Sequence, residues 1–130
     1  MALIKAGTCI YLPDPGTGKT RLHVVLNDAY GDPPGFAIVS LSSTVKADTT
    51  TILNVGDHSY IEKETYVVYP WMQYKDAAKL EAKVAADMSI RHHHSCSPEL
   101  LKRIQDGIFE SPHMRGNKLE FCRRALNRME

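Results

Sequence analysis

The chain lacks an excess of charge of either sign. Its 130 residues include 16 Lys or Arg and 15 Asp or Glu, which gives a formal net charge of +1. A protein that binds nucleic acid through a chain-wide positive charge is therefore excluded, and total charge does not indicate a nucleic-acid partner. The chain also lacks an apolar run near the ~18 residues that a membrane-spanning helix needs, so no membrane contact is expected.

Cysteine is sparse and odd in number. The chain has 3 cysteines, Cys9, Cys96 and Cys122, whereas a small secreted scaffold typically has an even set that pairs in disulfides. The opening stretch Met-Ala-Leu-Ile-Lys is too short for a signal peptide. Both observations predict a protein of the reducing cytoplasm.

The chain has the composition of an ordinary soluble domain, with 43% hydrophobic and 24% charged residues. Its length predicts one domain, 1–130, with a core large enough to need no crosslinks. Charge is divided unevenly, because residues 1–70 carry 5 basic and 7 acidic side chains and residues 71–130 carry 11 and 8. A contact with a polyanion through charge alone would lie in residues 113–130, where the alternative is a solvated helix face.

The first half of the chain predicts short strands separated by turns. Apolar, β-branched and aromatic residues concentrate in short runs, and stretches rich in Gly, Pro and Asp lie between them. Strands at this spacing favour a small antiparallel barrel or sandwich. The predicted strands are 7–12, 22–26, 37–42, 50–55 and 66–69.

The second half predicts helices. Apolar residues recur at helical spacing over 75–88, and Ser97 followed by Pro98 has the pattern of an N-cap and first helical position. Asn117 and Glu120 resemble a capping box for a third helix, whose predicted inner face includes Leu119, Cys122, Leu126 and Met129. The order predicts an α+β protein, with a β-barrel portion at 1–74 and packed helices at 75–130.

Residues 13–20, Pro-Asp-Pro-Gly-Thr-Gly-Lys-Thr, end like a phosphate-binding loop. Such a loop needs a glycine where Pro13 stands, and a helix must follow it. Here a β-branched run follows instead. The pattern therefore favours a hairpin loop with Lys19 at its tip.

The run His92-His93-His94 with Cys96 contains residue types that bind zinc. A structural zinc site takes paired ligands from two separated segments, and no second pair at suitable spacing occurs in the sequence. The run is therefore predicted to be a solvated linker, and no metal is expected. Cys9 and Cys122 are predicted to be packing residues.

Two segments carry a family resemblance. The first is Thr-Arg-Leu-His-Val-Val-Leu-Asn at 20–27, followed by Phe-Ala-Ile-Val-Ser-Leu-Ser-Ser at 36–43. The second is Asn-Val-Gly-Asp-His-Ser-Tyr-Ile and the residues after it, at 54–69. Together they resemble PemK/MazF-like toxins of bacteria and phages, in the branch with a Gly-Asp-His-x-[Phe/Tyr]-Ile element. The resemblance implies an SH3-like barrel with packed helices, commonly a homodimer.

The resemblance also implies an activity, that of a type II toxin held inactive by an antitoxin protein. Such toxins cleave single-stranded RNA through attack by its own 2′-hydroxyl, with neither metal nor cofactor. Carried over by position, the catalytic residues are Arg21 and Ser42, with Ser43 as a close alternate. A guanidinium binds phosphate in a bidentate manner and stabilises its developing charge, and a serine hydroxyl can orient a phosphate oxygen.

The Gly-Asp-His element adds His58 as a candidate general acid or base, since histidine titrates near neutral pH. A turn histidine, with Asp57 as a cap, is the alternative. Lys19, Ser43, Asp57 and Trp71 are the candidate substrate-binding residues. Trp71 belongs to an aromatic group that can stack on bases, although most aromatic residues of a small barrel lie in its core.

Two functions of different classes therefore remain open on the sequence. One is the ribonuclease toxin, supported by the positions of Arg21 and Ser42. The other is a non-catalytic SH3-like barrel that binds protein or nucleic acid, encoded by a phage or mobile element. Cleavage of RNA distinguishes them, because the second predicts binding alone.

Overall fold

A computed structural model describes residues 3–128 and confirms the predicted α+β order. Five strands precede three α-helices and one short 3₁₀ turn. The strands are β1 (Cys9–Pro13), β2 (Thr20–Val25), β3 (Gly35–Ser42), β4 (Ile52–Leu53) and β5 (Thr65–Asp76). The helices are α1 (Ala77–Ala86), α2 (Pro98–Ile108) and α3 (Gly116–Ala125), with the 3₁₀ turn at Met88–Ile90.

The strands form one antiparallel sheet in the order β1-β2-β3-β5-β4, curled into a half-barrel. The register between β3 and β5 changes between two pairs, Ile38 with Gln73 and Ser40 with Val68. The extra residues of β5 form a bulge, which bends a strand and re-aims its side chains. The bulge contains Pro70, which has no N–H to give to a ladder. Because the bulge accommodates Pro70, pairing with β3 resumes after it, and β5 continues to Asp76, seven residues beyond the predicted end at Tyr69.

The sheet separates two hydrophobic clusters. Alternating β-strand residues face opposite sides, so that Leu22 and Val24 of β2 belong to one cluster and Val25 belongs to the other. Helix α2 covers the first side with Leu100, Ile104 and Ile108. Helix α1 covers the second side with Ala77, Leu80 and Val84. Both apolar helix stripes predicted by spacing therefore pack on the sheet.

Of the two helix starts predicted from capping patterns, one agrees with the structure and the other differs. Ser97 caps α2, since its Oγ accepts a hydrogen bond from Leu100 N–H at 3.1 Å. The capping box predicted for α3 is wrong, because α3 begins at Gly116 after an Arg115 N-cap with no side-chain capping bond. Asn117 already lies inside the first turn, where it cannot cap. Cys122 is buried as predicted, and Met129 lies outside the described residues.

The segment 91–96 is not the solvated linker that the sequence predicted. Arg91 forms an antiparallel bridge with Ile10. His92 N–H donates to Cys9 O and Cys96 N–H donates to Gly7 O, each at 2.9 Å. The segment therefore runs along the open edge of β1 and occupies hydrogen-bonding groups that an edge strand would expose. His92 becomes buried as a result, whereas His93 and His94 stay exposed.

None of the helices within residues 3–128 has the length and apolar character that a membrane crossing requires.

Candidate functional site

Arg21 and Ser43 line the same small cavity, of about 160 Å³. Arg21 is near the start of β2, and Ser43 directly follows β3. The remaining wall comes from β3, the start of β5 and the segment before β5: Leu41, Tyr60, Glu62, Lys63 and Thr65. The residues that line the cavity thus combine two cationic side chains, one carboxylate, the aliphatic hydroxyls of Ser43 and Thr65, and the phenol ring of Tyr60. This set suits a ligand that has a phosphate and a base.

Arg21 is held in place by a buried carboxylate. Its Nε donates to Asp14 Oδ2 across the β1–β2 hairpin, and the Asp14 side chain is fully buried whereas that of Arg21 is 11% exposed. Burial raises the pKa of Asp14, but hydrogen bonds from Thr17 and Arg21 outweigh it and lower the pKa to about 2. Asp14 is therefore ionised at neutral pH. A guanidinium has five N–H donors, so the terminal nitrogens of Arg21 stay available for an anion while Nε is bound.

The loop that resembles a phosphate-binding loop is a hairpin loop, as predicted. β1 pairs with β2 directly across it. Its amides turn inward, since Thr17 N–H donates to Asp14 Oδ1 at 2.5 Å and Gly18 N–H donates to the same oxygen at 3.2 Å. The Asp14 carboxylate thus occupies the place that a phosphate would take. Lys19 is exposed near the tip and does not line the cavity.

Ser42 and Ser43 have different environments. Ser42 is 1% exposed, and its Oγ accepts hydrogen bonds from Thr44 N–H at 3.2 Å and from Val45 N–H at 2.9 Å. Ser42 therefore caps the turn after β3 and does not face the cavity. Ser43 is half-buried and lines the cavity. Of the two serines, the geometry favours Ser43, which the resemblance gave as the alternate to Ser42.

His58 is buried away from the cavity, and both of its ring nitrogens have backbone partners. Nδ1 accepts from Tyr60 N–H at 3.0 Å, which leaves Nε2 protonated, 3.0 Å from His94 O. His58 thus joins the loop before β5 to the segment 91–96. Because Tyr60 lines the cavity, the contact makes His58 a residue that positions Tyr60, rather than one placed to exchange a proton with a ligand there.

Asp57 and Trp71 also have structural partners outside the cavity. Asp57 Oδ2 accepts from Asn54 N–H at 2.7 Å, and Oδ1 lies 3.2 Å from Arg103 Nη1 of α2. Asp57 therefore caps a turn, which is the alternative role that the sequence predicted for it. Trp71, in the bulge of β5, covers Gly16 of the hairpin loop so closely that a Cβ on Gly16 would lie 2.1 Å from the indole ring.

The sequence did not single out three of the residues that form the site. Asp14 lies in the hairpin loop that resembles a phosphate-binding loop, and its buried pairing with Arg21 depends on the hairpin. Glu62 and Lys63 lie within the segment that carries the family resemblance, but no spacing rule connects them to Arg21. Only the curvature of the sheet brings the segment before β5 to the start of β2.

Residues 3–128 contain no group of three or more His, Cys, Asp or Glu side chains with the geometry of a metal site. A comparison with models of known protein families finds no match, and neither does a comparison with curated proteins.

Proposed function

We propose that this protein is a toxin of the PemK/MazF type, a metal-independent endoribonuclease that cleaves single-stranded RNA at the Arg21 cavity. The observation that carries the proposal is the position of Arg21. A buried carboxylate orients it toward a cavity that also holds a serine hydroxyl and a second cation. The order of strands and the curled half-barrel sheet support the finer proposal of an SH3-like barrel.

The cavity residues have roles that follow from the chemistry of RNA cleavage. Glu62 accepts the proton of the 2′-hydroxyl, whose oxygen then attacks the adjacent phosphorus. Arg21 and Lys63 stabilise the extra negative charge on the phosphorane, and Ser43 donates to one of its oxygens. The 5′-oxygen leaves and takes up a proton from water. The products are a 2′,3′-cyclic phosphate and a 5′-hydroxyl.

Tyr60 supplies the contact to a base. Its ring lines the cavity, packs edge-on against Tyr11 at 6.2 Å between centroids, and is fixed at its backbone by His58. Stacking on an aromatic ring requires an unpaired base, which favours single-stranded RNA as the substrate. The limited cationic surface is also where an acidic antitoxin segment would compete with RNA. A homodimer and a cytoplasmic location belong to the same proposal.

The test pairs growth arrest with cleavage by purified protein. Expression in bacteria should stop growth, and Arg21→Ala should relieve the arrest, while the control Lys102→Ala should not. Lys102 is an exposed cation on α2, paired with Asp106 at 2.8 Å. In EDTA, the wild type should cut a mixed-sequence RNA to cyclic-phosphate ends. Intact RNA after long incubation with wild-type protein would refute the catalytic proposal.

A second candidate, binding without cleavage, is favoured by one observation. Ser42 and His58 were both predicted to be catalytic. The Ser42 hydroxyl and the His58 ring instead form hydrogen bonds with backbone groups and do not face the cavity. A non-catalytic barrel of phage or mobile-element origin would retain RNA on a filter without cutting it. Its affinity would fall steeply with added salt, and Ser43→Ala would leave the RNA length unchanged.

A further inference from the structure

Two thiols from distant parts of the chain lie side by side at the edge of the sheet. Cys9 Sγ and Cys96 Sγ are 3.7 Å apart, although 87 positions separate them in the sequence. Both cysteines are free. Cys9, in β1, is fully buried, whereas Cys96 is half-buried. The pair therefore joins a half-buried residue to a fully buried one, at a place distinct from the Arg21 cavity.

The backbone fixes this juxtaposition on both sides. The hydrogen bonds from His92 N–H to Cys9 O and from Cys96 N–H to Gly7 O, each 2.9 Å, hold the segment 91–96 against β1. The contact between the cysteines is diagonal, because Cys9 is hydrogen-bonded to His92 and Cys96 to Gly7 across the two segments. A disulfide holds its sulfurs about 2 Å apart, so the 3.7 Å between Cys9 Sγ and Cys96 Sγ must shorten by side-chain rotation together with a shift of the segment 91–96 along β1.

The two thiols differ in acidity because of the contact between them. The contact between the two thiols lowers the pKa of Cys96, against burial, which raises it. The same contact, together with burial, raises the pKa of Cys9. Cys96 also stands one residue before the N-cap of α2, where the positive end of the helix dipole favours a thiolate. Cys96 is thus the more acidic thiol of the pair.

Neighbouring side chains leave this assignment unchanged. His58 Nε2 is 3.8 Å from Cys9 Sγ, but its proton is directed to His94 O and its other nitrogen accepts from Tyr60 N–H. The third cysteine, Cys122, lies far along the chain in α3, next to Met72 Sδ at 3.6 Å. Burial raises the pKa of Cys122 to about 12, and its sulfur neighbour is the Met72 thioether instead of a second thiol, so Cys122 is the matched control for a cysteine without a resolving thiol beside it.

We propose that Cys96 and Cys9 form an oxidation site for hydroperoxides, with Cys96 as the attacking thiol and Cys9 as the resolving thiol. The Cys96 sulfur attacks hydrogen peroxide, the S–O bond forms, the O–O bond breaks, and the departing hydroxide takes the thiol proton as water. The sulfur loses two electrons and becomes a sulfenic acid. The Cys9 sulfur then attacks Cys96, and the sulfenic hydroxyl leaves with the Cys9 proton as a second water.

The product is a disulfide that ties β1 to the start of α2. One peroxide is reduced to two waters, and two thiols are oxidised. Because the bond closes a long loop, it should raise the unfolding temperature relative to the reduced protein. The site requires only the two cysteines, so its failure and the failure of the ribonuclease proposal can be distinguished.

The experiment treats full-length, reduced protein with a stoichiometric amount of hydrogen peroxide. Two of the three thiols should disappear, the intact mass should fall by about 2 Da, and peptide mapping should find Cys9 joined to Cys96. Cys122→Ser should behave like the wild type. Cys96→Ser should keep its remaining thiols, and Cys9→Ser should stop at a sulfenic acid on Cys96 that dimedone traps. Peptide mapping of the wild-type protein does not depend on any variant, so it tests the proposal even where Cys9→Ser fails to fold.

Three results would overturn the proposal. The first is loss of thiols in Cys96→Ser at the rate of the wild type. The second is oxidation of Cys122 together with the other two thiols. The third is a wild type that retains all three thiols under conditions that oxidise a free cysteine peptide.

Discussion

The Nε atom of Arg21 donates to the carboxylate of Asp14, which lies seven positions earlier on the other side of the β1–β2 hairpin. This pair connects a buried charge to the wall of the candidate cavity. Removal of one partner from a buried pair leaves the other charge uncompensated, and this is the costly kind of change. The pair therefore serves both stability and the position of the candidate catalytic arginine.

The Asp14 carboxyl should make the protein less stable in acid. Despite its burial, hydrogen bonds hold its pKa at about 2, below the ~3.9 of an unfolded chain. The stabilisation is complete above the unfolded value and is lost as the pH falls toward 2. Asp14→Asn should lower the free energy of unfolding at neutral pH by about 2 kcal/mol and flatten its fall between about pH 4 and 2.

Urea unfolding at several pH values measures this effect. The exposed Glu110→Gln should retain the acid dependence of the wild type. A profile for Asp14→Asn parallel to that of the wild type would show that the carboxyl is not held in its ionised form.

The burial of His23 should make stability depend on pH in a higher range than the Asp14 carboxyl does. It is fully buried, its Nε2 has no hydrogen-bond partner, and neither does Oγ of its cross-strand neighbour Ser40 among the described residues. Burial lowers the pKa of His23, so the unfolded chain takes up the proton first and stability falls as the pH drops below about 6.5. His23→Leu should reduce this fall between pH 7 and 5, as thermal unfolding would show, whereas the exposed His93→Leu should leave it unchanged.

Gly16 should tolerate no side chain. Its Cβ would lie 2.1 Å from Trp71, which is the single tryptophan of the chain. Gly16→Ala should destabilise by about 1–3 kcal/mol through overpacking and shift the tryptophan emission. Gly18→Ala is the comparison, because Gly18 has open space around it but a φ of +75°. It should cost about 1 kcal/mol through backbone strain without changing the emission, and equal spectra for both variants would contradict the contact.

Substitution of Ser42 should reduce stability, whereas substitution of Ser43 should reduce activity. Ser42→Ala loses two backbone hydrogen bonds in the turn after β3 and should cost about 1 kcal/mol of unfolding free energy. Ser43→Ala removes only a cavity hydroxyl. It should slow RNA cleavage by about tenfold or more with a change in stability within about 0.5 kcal/mol. If Ser42→Ala alone lost activity while it remained as stable as the wild type, the assignment would be reversed.

The elements that local pattern determines were predicted well. The Ser97-Pro98 start of α2 holds because an N-cap and its first turn lie within four residues. The hairpin predicted at 13–20 is confirmed because the glycines and Asp14 that form its turn lie within a few residues of one another. The strand β5 was predicted too short, since the bulge that carries it past Pro70 depends on pairing with β3. The capping box at Asn117 failed because a four-residue motif does not fix where a helix begins.

The sequence by itself determined the order of strands and helices, the apolar stripes and the hairpin, because side-chain periodicity and turn chemistry act over a few residues. Only the tertiary structure decided that Ser43, rather than Ser42, joins Arg21, that Asp14 holds Arg21, and that Cys9 meets Cys96. Each of these contacts joins separate backbone segments. Sheet curvature and edge pairing set such contacts, and they depend on how the whole chain packs rather than on any local pattern.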